Sequence, residues 1–147
     1  MSFDPAADGW VPCSVGPFMT SLGTIWRKGE GEGIRFGMLA ERRHGNHRDI
    51  VHGGVIMTLA DFGLGSIMSE LNGNNHQVTV QLDVQFLSAG EVGDFLVSEG
   101  EVLRRSSSLF FVRGTIFALG TNPLRRVAAA NGVWKTVRPL PGPVEKS

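Results

Sequence analysis

The sequence predicts an α+β domain in which one long helix packs against an antiparallel sheet. Apolar residues recur at helical spacing from Gly53 to about Leu71, and four strand-like segments joined by short turns follow that helix. Consecutive strands with tight turns pair antiparallel, and a helix that is apolar nearly all round must be covered on most sides. We therefore expect one large curved sheet wrapped about a central helix.

The chain before the helix divides into an arm, two short strand segments and a polar loop. Residues 1–22 carry three prolines and are predicted to form an irregular N-terminal arm. The domain itself is predicted over residues 23–137, and residues 138–147, with three more prolines, form a predicted flexible tail. The first strand segments and the polar loop that follows them are Thr24–Trp26, Ile34–Leu39 and Glu41–Asp49.

The four segments after the helix differ in pattern and therefore in predicted position. Val78–Phe86 alternates apolar and polar residues with a period of two, which predicts a strand with one apolar face. Leu109–Leu119 is apolar on both faces and is expected to be a central, well-covered strand. The other two predicted strands are Phe95–Leu103 and Val127–Thr136.

Length and composition fit a single globular domain and exclude several classes of function. The 147 residues are 41% apolar and 19% charged, and 14 basic residues balance 14 acidic ones, so nucleic acid is not expected as a main partner. No secretory signal pattern is visible, and the apolar run around Asp61 is too interrupted to predict a membrane span. The lone Cys13 forms no internal disulfide, and we expect a cytoplasmic protein.

Asp61 is the most informative residue in the sequence. It is the only charged residue between Gly54 and Ser69, and its neighbours along the chain are apolar. An unpaired carboxylate is costly to remove from water, so two interpretations remain open. Asp61 lies on the one exposed edge of the helix, or it is held at a subunit or domain interface, where it activates water or accepts a proton.

The predicted start of the helix is suited to binding a ligand oxygen. His52-Gly53-Gly54 stands where backbone N–H groups are free and the positive end of the helix dipole lies. Glycines there let an oxygen approach the backbone, as an oxyanion hole requires, although a plain glycine-rich helix start has the same spacing. Asn46, six residues before His52, either donates an amide hydrogen bond into the same space or forms a turn with Gly45.

Together, Asn46, His52-Gly53-Gly54 and Asp61, nine residues after the histidine, resemble the motif of the hotdog-fold acyl-CoA thioesterases. The pattern is most similar to the phenylacetate-pathway (PaaI-type) subgroup. The resemblance extends from about Gly23 to Thr136 and includes the strand Val78–Leu87.

The resemblance implies five to six antiparallel strands curled round the helix, and two subunits joined edge to edge with active sites at their junction, in a dimer or tetramer. It also implies hydrolysis of acyl-CoA to free CoA and a carboxylic acid, without a metal or redox cofactor. Asp61 would be the nucleophile or the general base, and the backbone N–H of Gly53 would polarise the thioester carbonyl. Asn46 would place the carbonyl or the water, Thr79 of the neighbouring subunit would orient the water, and His52 would shape the loop.

The implied site also needs contacts to the rest of the substrate. Arg104, Arg105 and Ser106, in a predicted turn, are expected to bind the phosphates of CoA, with Arg42, Arg43 and Arg48 as alternatives. The acyl group would lie against Phe62, and Gly54 would permit close approach of the substrate.

One position departs from the family pattern. Asp49 stands where a glycine is usual, and we expect it to alter the path of the loop or to add a second carboxylate.

Three other functions compete with hydrolysis. Imidazole and carboxylate groups at His44, His47, Asp49 and His52 are suitable metal ligands, but their spacing matches no strong motif. A hotdog hydratase or dehydratase would use a histidine with a carboxylate as its acid–base pair. A non-catalytic acyl-CoA-binding module would need no base. The acyl chain itself is not specified by the sequence.

Overall fold

The computed structural model describes residues 3–73 and 76–137, which form an antiparallel sheet of seven strands and one long helix. The α+β prediction is confirmed, but the sheet has seven strands rather than five to six, because the N-terminal arm contributes one of its own. The predicted tail, residues 138–147, lies outside the described residues. The elements in chain order are β1 Val11–Pro12, α1 Pro17–Ser21, β2 Ile25–Lys28, β3 Arg35–Leu39, α2 Gly53–Asn72, β4 Gln77–Phe86, β5 Phe95–Arg105, β6 Leu109–Leu119 and β7 Arg125–Thr136.

Helix α2 forms the centre of the domain. Leu59, Ala60 and Leu64 have no exposed surface, and they pack within the apolar core that the helix shares with the sheet. Gly73 ends the helix in the left-handed conformation, with φ of 68°, which glycine adopts without strain. By length and composition alone α2 would suffice to cross a membrane. Its burial against the sheet is instead the arrangement of a core helix.

The order of strands in the sheet is β1-β2-β3-β5-β6-β7-β4, and every neighbouring pair is antiparallel. β6 lies between β5 and β7, so the prediction of a central strand over Leu109–Leu119 is confirmed. The expectation that β4 pairs with β5 is wrong. β4 pairs with β7 at the edge of the sheet, and the turn after β4 crosses the end of the sheet instead of closing a hairpin.

A β-bulge at Val80 changes which side of β4 faces the helix. Thr79 is opposite Trp134 and Gln81 is opposite Val133, so Val80 is an extra residue in the ladder. Before the bulge Thr79 points to α2, and after it Leu82 and Val84 pack against the core. The unbroken alternation predicted from the sequence is therefore wrong, because one inserted residue reverses a period of two.

The N-terminal arm is ordered against the far side of the sheet. Trp10 is buried, and its ring meets Phe95 edge-on with the centroids 5.1 Å apart. Phe3 packs on the same phenylalanine at 4.9 Å. These contacts give the domain a second, smaller apolar cluster beside the core around α2.

Candidate active site

Asp61 lies in the middle of α2, and two donors from the sheet hold its carboxylate. Thr79 Oγ1 donates a hydrogen bond of 2.6 Å to Asp61 Oδ1, and the indole N–H of Trp134 donates one of 3.3 Å to the same oxygen. Within residues 3–73 and 76–137, no donor bonds to Asp61 Oδ2. The side chain is only partly buried, so water has access to it. A carboxylate with one oxygen fixed and the other unoccupied is suited to accepting a proton from water.

The position of Thr79 differs from what the family resemblance implies. The resemblance places this hydroxyl on the neighbouring subunit, whereas in the structure it contacts Asp61 of its own chain. The bulge at Val80 is the reason, because it turns Thr79 toward α2.

Trp134 is a site residue that the sequence analysis missed as a hydrogen-bond donor. Its side chain is buried, and the indole nitrogen lies directly against the backbone of α2 at Gly65. A Cβ at Gly65 would come within 2.6 Å of that nitrogen, so the glycine permits the approach. The sequence signal was weak, because Trp134 is 73 residues from Asp61 along the chain.

The start of α2 leaves the N–H of Gly53 as a free donor. His52 caps the helix, since its Nδ1 accepts a hydrogen bond of 2.9 Å from the N–H of Gly54, and the carbonyl of His52 accepts from Val55. The N–H of Gly54 is thus already used, which argues against a direct contact between that group and substrate. For Gly53 N–H the described part of the chain offers no acceptor, so this group is available to a ligand oxygen.

Asn46 stabilises its own loop and also faces the start of the helix. Its side-chain oxygen accepts hydrogen bonds from the N–H groups of Arg48, at 2.8 Å, and Ile50, at 3.3 Å. This is the turn-forming role that the sequence left open. Asp49 within this turn has φ of 56°, a left-handed conformation that explains why glycine suits the position.

One cavity brings Asn46 and Gly53 together. Its volume is about 390 Å³, and it opens between the loop before α2 and the turn that follows β4. Most of its wall is apolar, and its lining includes Ile56, Phe86 and Val127 as well as Asn46 and Gly53. Asp61 is not among the lining residues.

The carboxylate and the free N–H are far apart within one chain. Gly53 and Asp61 are eight residues apart on the same helix, which at 1.5 Å per residue is about 12 Å. A single thioester carbonyl cannot contact both groups of one chain. The carboxylate and the free N–H therefore lie at separate places and do not form one site within a single chain.

The predicted substrate-binding residues lie on different parts of the domain. Arg104 is exposed at the end of β5, and Arg105 Nη2 donates to Asn72 Oδ1 at 2.9 Å, beside the C-terminal end of α2. Ser106 closes the turn after β5, since its N–H donates to the carbonyl of Leu109 at 2.9 Å. Phe62 is partly buried next to Asp61 and meets the ring of Phe36 edge-on at 5.0 Å, so its ring contributes to the core.

The histidines near the start of α2 are not arranged as metal ligands. His44 is only 3% exposed, although it belongs to the polar loop Glu41–Asp49, whose composition is typical of a surface or of the surroundings of a site. Its Nδ1 accepts from the N–H of Glu41 and its Nε2 lies 2.8 Å from the carbonyl of Leu22, so both ring nitrogens are used. No cluster of three or more potential metal ligands occurs in the residues that the structure describes.

Comparisons with known proteins agree with this fold. The family model described as the thioesterase superfamily matches residues 49–123 of the 147. PA0474 of Pseudomonas aeruginosa, provisionally named an esterase, is 33% identical over 95 residues, which are 64% of this chain and 68% of that protein.

Solved structures share the architecture at low sequence identity. The E. coli PaaI protein from the phenylacetic acid degradation operon is 19% identical and superposes with a TM-score of 0.72 over 83% of this chain and 85% of that chain. A hypothetical thioesterase of Streptococcus pneumoniae, crystallised with coenzyme A, is 19% identical. It superposes with a TM-score of 0.68 over 82% of this chain and 91% of that chain. The chain has the hotdog fold and belongs to the thioesterase superfamily.

Proposed function

We propose that this protein hydrolyses acyl-CoA thioesters to free CoA and a carboxylic acid. The observation that carries the proposal is the carboxylate of Asp61, fixed on one oxygen by Thr79 and Trp134 and open on the other. Membership of the thioesterase superfamily supports thioester hydrolysis in general. The coenzyme A in the similar structure from Streptococcus pneumoniae supports CoA as the thiol half of the substrate.

The active unit in this proposal is a homodimer. Because Gly53 and Asp61 of one chain are about 12 Å apart along α2, a site that uses both needs one group from each copy. The edge strand β4 supports such an assembly. It is ten residues long, ends the sheet, and exposes Val78, Val80 and Phe86, whereas an isolated protein normally protects an edge of this kind.

The reaction follows from these positions. Asp61 accepts a proton from a water molecule while the water oxygen attacks the carbonyl carbon of the thioester. The N–H of Gly53 from the second copy donates a hydrogen bond to the oxyanion that forms, at the positive end of α2. Collapse of this intermediate breaks the carbon–sulfur bond, and CoA leaves as a thiolate that takes up the proton. Asn46 faces the same cavity as Gly53 and helps to place the carbonyl.

The remainder of the substrate is assigned by charge and apolarity. We assign the phosphates of CoA to Arg104 and Arg105, with Ser106 beside them, because both arginines are exposed at the end of β5 and Arg105 contacts the end of α2. The predicted turn therefore begins only after Arg105. The acyl group is assigned to Phe62, whose ring is partly buried next to Asp61. A PaaI-type activity and a cytoplasmic location are part of the same proposal, and the substrate panel below identifies the acyl group.

Hydration or dehydration is the alternative to hydrolysis, and it would need a histidine with a free ring nitrogen directed at the substrate. Both nitrogens of His44 are bonded to the backbone, whereas His52 uses only Nδ1 to cap α2. His52 is therefore the histidine that the alternative would require.

The test is a substrate panel with Asp61→Asn. Short, medium, long and aryl acyl-CoA esters are supplied, and release of free thiol is followed with a chromogenic disulfide. Wild type is expected to hydrolyse at least one class, and Asp61→Asn to lose about 10²- to 10⁴-fold in kcat while still binding CoA. Asp4→Asn, an exposed aspartate in the N-terminal arm, is the matched control. Equal rates for wild type and Asp61→Asn would contradict the proposal, and binding without turnover by wild type would favour the non-catalytic module.

A further inference from the structure

We propose that Arg125 is a positioning residue for the part of the site that contains Asn46 and Gly53, and that it acts through the turn Gly90–Asp94. The proposal rests on the proposed function, because it assigns Arg125 to the loop that presents Asn46 and Gly53. Arg125 itself contacts neither of these residues. Its effect is transmitted through two sets of hydrogen bonds.

The first set joins the turn to the loop before α2. The N–H of Val51 donates to the carbonyl of Gly90 at 2.8 Å, and the N–H of Val92 donates to the carbonyl of Asp49 at 3.3 Å. Ile50 also pairs with Glu91 as an isolated antiparallel bridge. Residues 49–51 are thus held on one side by the turn 90–92, and they lead directly into His52 and Gly53.

The same segment fixes Asn46 from its other side. The N–H of Asn46 donates to the carbonyl of Ile50 at 2.7 Å, and Gly45 pairs with Val51. The loop is therefore a small three-stranded arrangement, in which the turn Gly90–Asp94 forms the outer member. A displacement of that turn moves the amide of Asn46 and the start of α2 together.

The second set holds the turn by charge. Asp94 closes it, since its Oδ2 accepts from the N–H of Glu91 at 2.8 Å, and the side chain of Asp94 is only 13% exposed. A carboxylate that is this deeply buried needs a cation. Arg125 Nη2 contacts Asp94 Oδ2, and Arg125 Nη1 lies 3.4 Å from Glu91 Oε2. Within the described residues, Asp94 and Glu91 form salt bridges only with Arg125.

Arg125 is itself anchored in the sheet. It is the first residue of β7, its backbone N–H donates to Thr121 Oγ1 at 2.9 Å, and its side chain is 27% exposed. The strand β7 thereby positions the guanidinium group of Arg125, which holds the turn Gly90–Asp94. That turn then positions the loop before α2. Misplacement of a reacting group by about 1 Å can cost about 10²-fold in rate, so a loss of this support should reduce kcat.

The test compares Arg125→Gln, Arg125→Lys and Asp94→Asn with a matched control. Arg125→Gln is expected to lower kcat by about 10- to 100-fold with little change in KM, and to speed amide hydrogen exchange in residues 45–54. Arg125→Lys keeps the charge and should recover part of both properties. Because Arg125 and Asp94 act as one unit, the double variant Arg125→Gln/Asp94→Asn should lose no more activity than either single variant. The control is Arg113→Gln, which breaks the exposed Arg113–Glu101 pair of 2.6 Å on the open face of the sheet. It should change neither kcat nor the hydrogen exchange of residues 45–54.

Hydrogen exchange separates this inference from the proposed function. If wild type hydrolyses no thioester, the proposed function fails, while faster exchange confined to residues 45–54 and to the turn 90–94 in the variants still supports the structural part of the inference. Wild-type exchange in those residues in Asp94→Asn, or in a folded Arg125→Gln, would overturn it. Uniformly faster exchange in all peptides of these variants would also overturn it, because that result indicates a general loss of stability.

Discussion

The hydroxyl of Thr79 lies 2.6 Å from Asp61 Oδ1 and donates a hydrogen bond to it, which joins the edge strand β4 to the middle of α2. Hydrogen bonds to a charged group contribute about 1.5–3 kcal/mol. The bond also orients the carboxylate, so that Oδ2 remains available to water.

Removing this hydroxyl should therefore slow the reaction. Thr79→Val keeps the shape of the side chain and is expected to lower kcat by about 10- to 100-fold, whereas Thr79→Ser should stay near wild type. Steady-state kinetics on the best acyl-CoA of the panel gives the comparison. A Thr79→Val variant within about twofold of wild type would show that the bond has no role in the reaction.

The exposed edge of β4 predicts an assembly that a charge should break. Val80 is 56% exposed on this edge, and Val80→Glu is expected to give a monomer by light scattering and to lose hydrolytic activity, because each site would lack one half. Val11→Glu, with 58% exposure on the opposite edge strand β1, is the control and should leave both unchanged. A Val80→Glu dimer with full activity would argue against assembly through β4.

The left-handed conformation of Asp49 predicts which residues the position tolerates. The free energy of unfolding of Asp49→Gly should lie within about 1 kcal/mol of the wild-type value. Glycine relieves the strain of the positive φ, and this gain offsets the greater freedom of the unfolded chain. Asp49→Val should cost about 1–3 kcal/mol, since a β-branched residue is disfavoured at positive φ. Urea denaturation measures both. Equal stability of the valine and glycine variants would contradict this account of the loop.

Cys13 predicts a pH dependence that matters for any thiol-release assay. Its Sγ donates to the carbonyl of Ile25 at 3.3 Å, and burial raises the pKa of the thiol above its ordinary value of 9.0. The thiolate is the reactive form, so labelling of the folded protein should be slow near neutral pH and should accelerate as the pH rises through the raised pKa. Labelling at pH 8 as fast as that of unfolded protein in urea would contradict this.

Local patterns predicted the elements of the fold, and long-range pairing was beyond them. The apolar spacing from Gly53 predicted α2 because helical periodicity depends only on neighbouring residues. Leu109–Leu119 was predicted as a central strand because both of its faces are apolar. The pairing of β4 with β7 depends on residues far apart in sequence, and no local signal specifies it.

The site was predictable in part for the same reason. Asp61 stood out as a lone charge in an apolar helix, whereas the buried Trp134 reads as an ordinary core residue until the fold brings it to the carboxylate. The bulge at Val80 leaves no mark in an alternating sequence, yet it decides that Thr79 faces Asp61. The burial of His44 was missed because a dense polar segment is normally exposed.

Two inactivating substitutions are available for a test of the shared site. Gly53→Pro removes the proposed oxyanion donor at a position where proline suits the helix, and His52, with φ of −57° and ψ of 134°, already has the backbone that a residue before proline adopts. Gly53→Ala keeps the N–H and is the matched control. Gly53→Pro and Asp61→Asn should each be inactive as pure proteins.

The most direct measurement is the thioesterase activity of these two variants after they are unfolded, mixed in equal amounts and refolded together. About half of the dimers should be hybrids, each with one site that contains an intact Gly53 and an intact Asp61, so the mixture should recover about a quarter of wild-type activity. A mixture as inactive as its two components, with hybrids shown to be present, would contradict a site built from two copies of the chain.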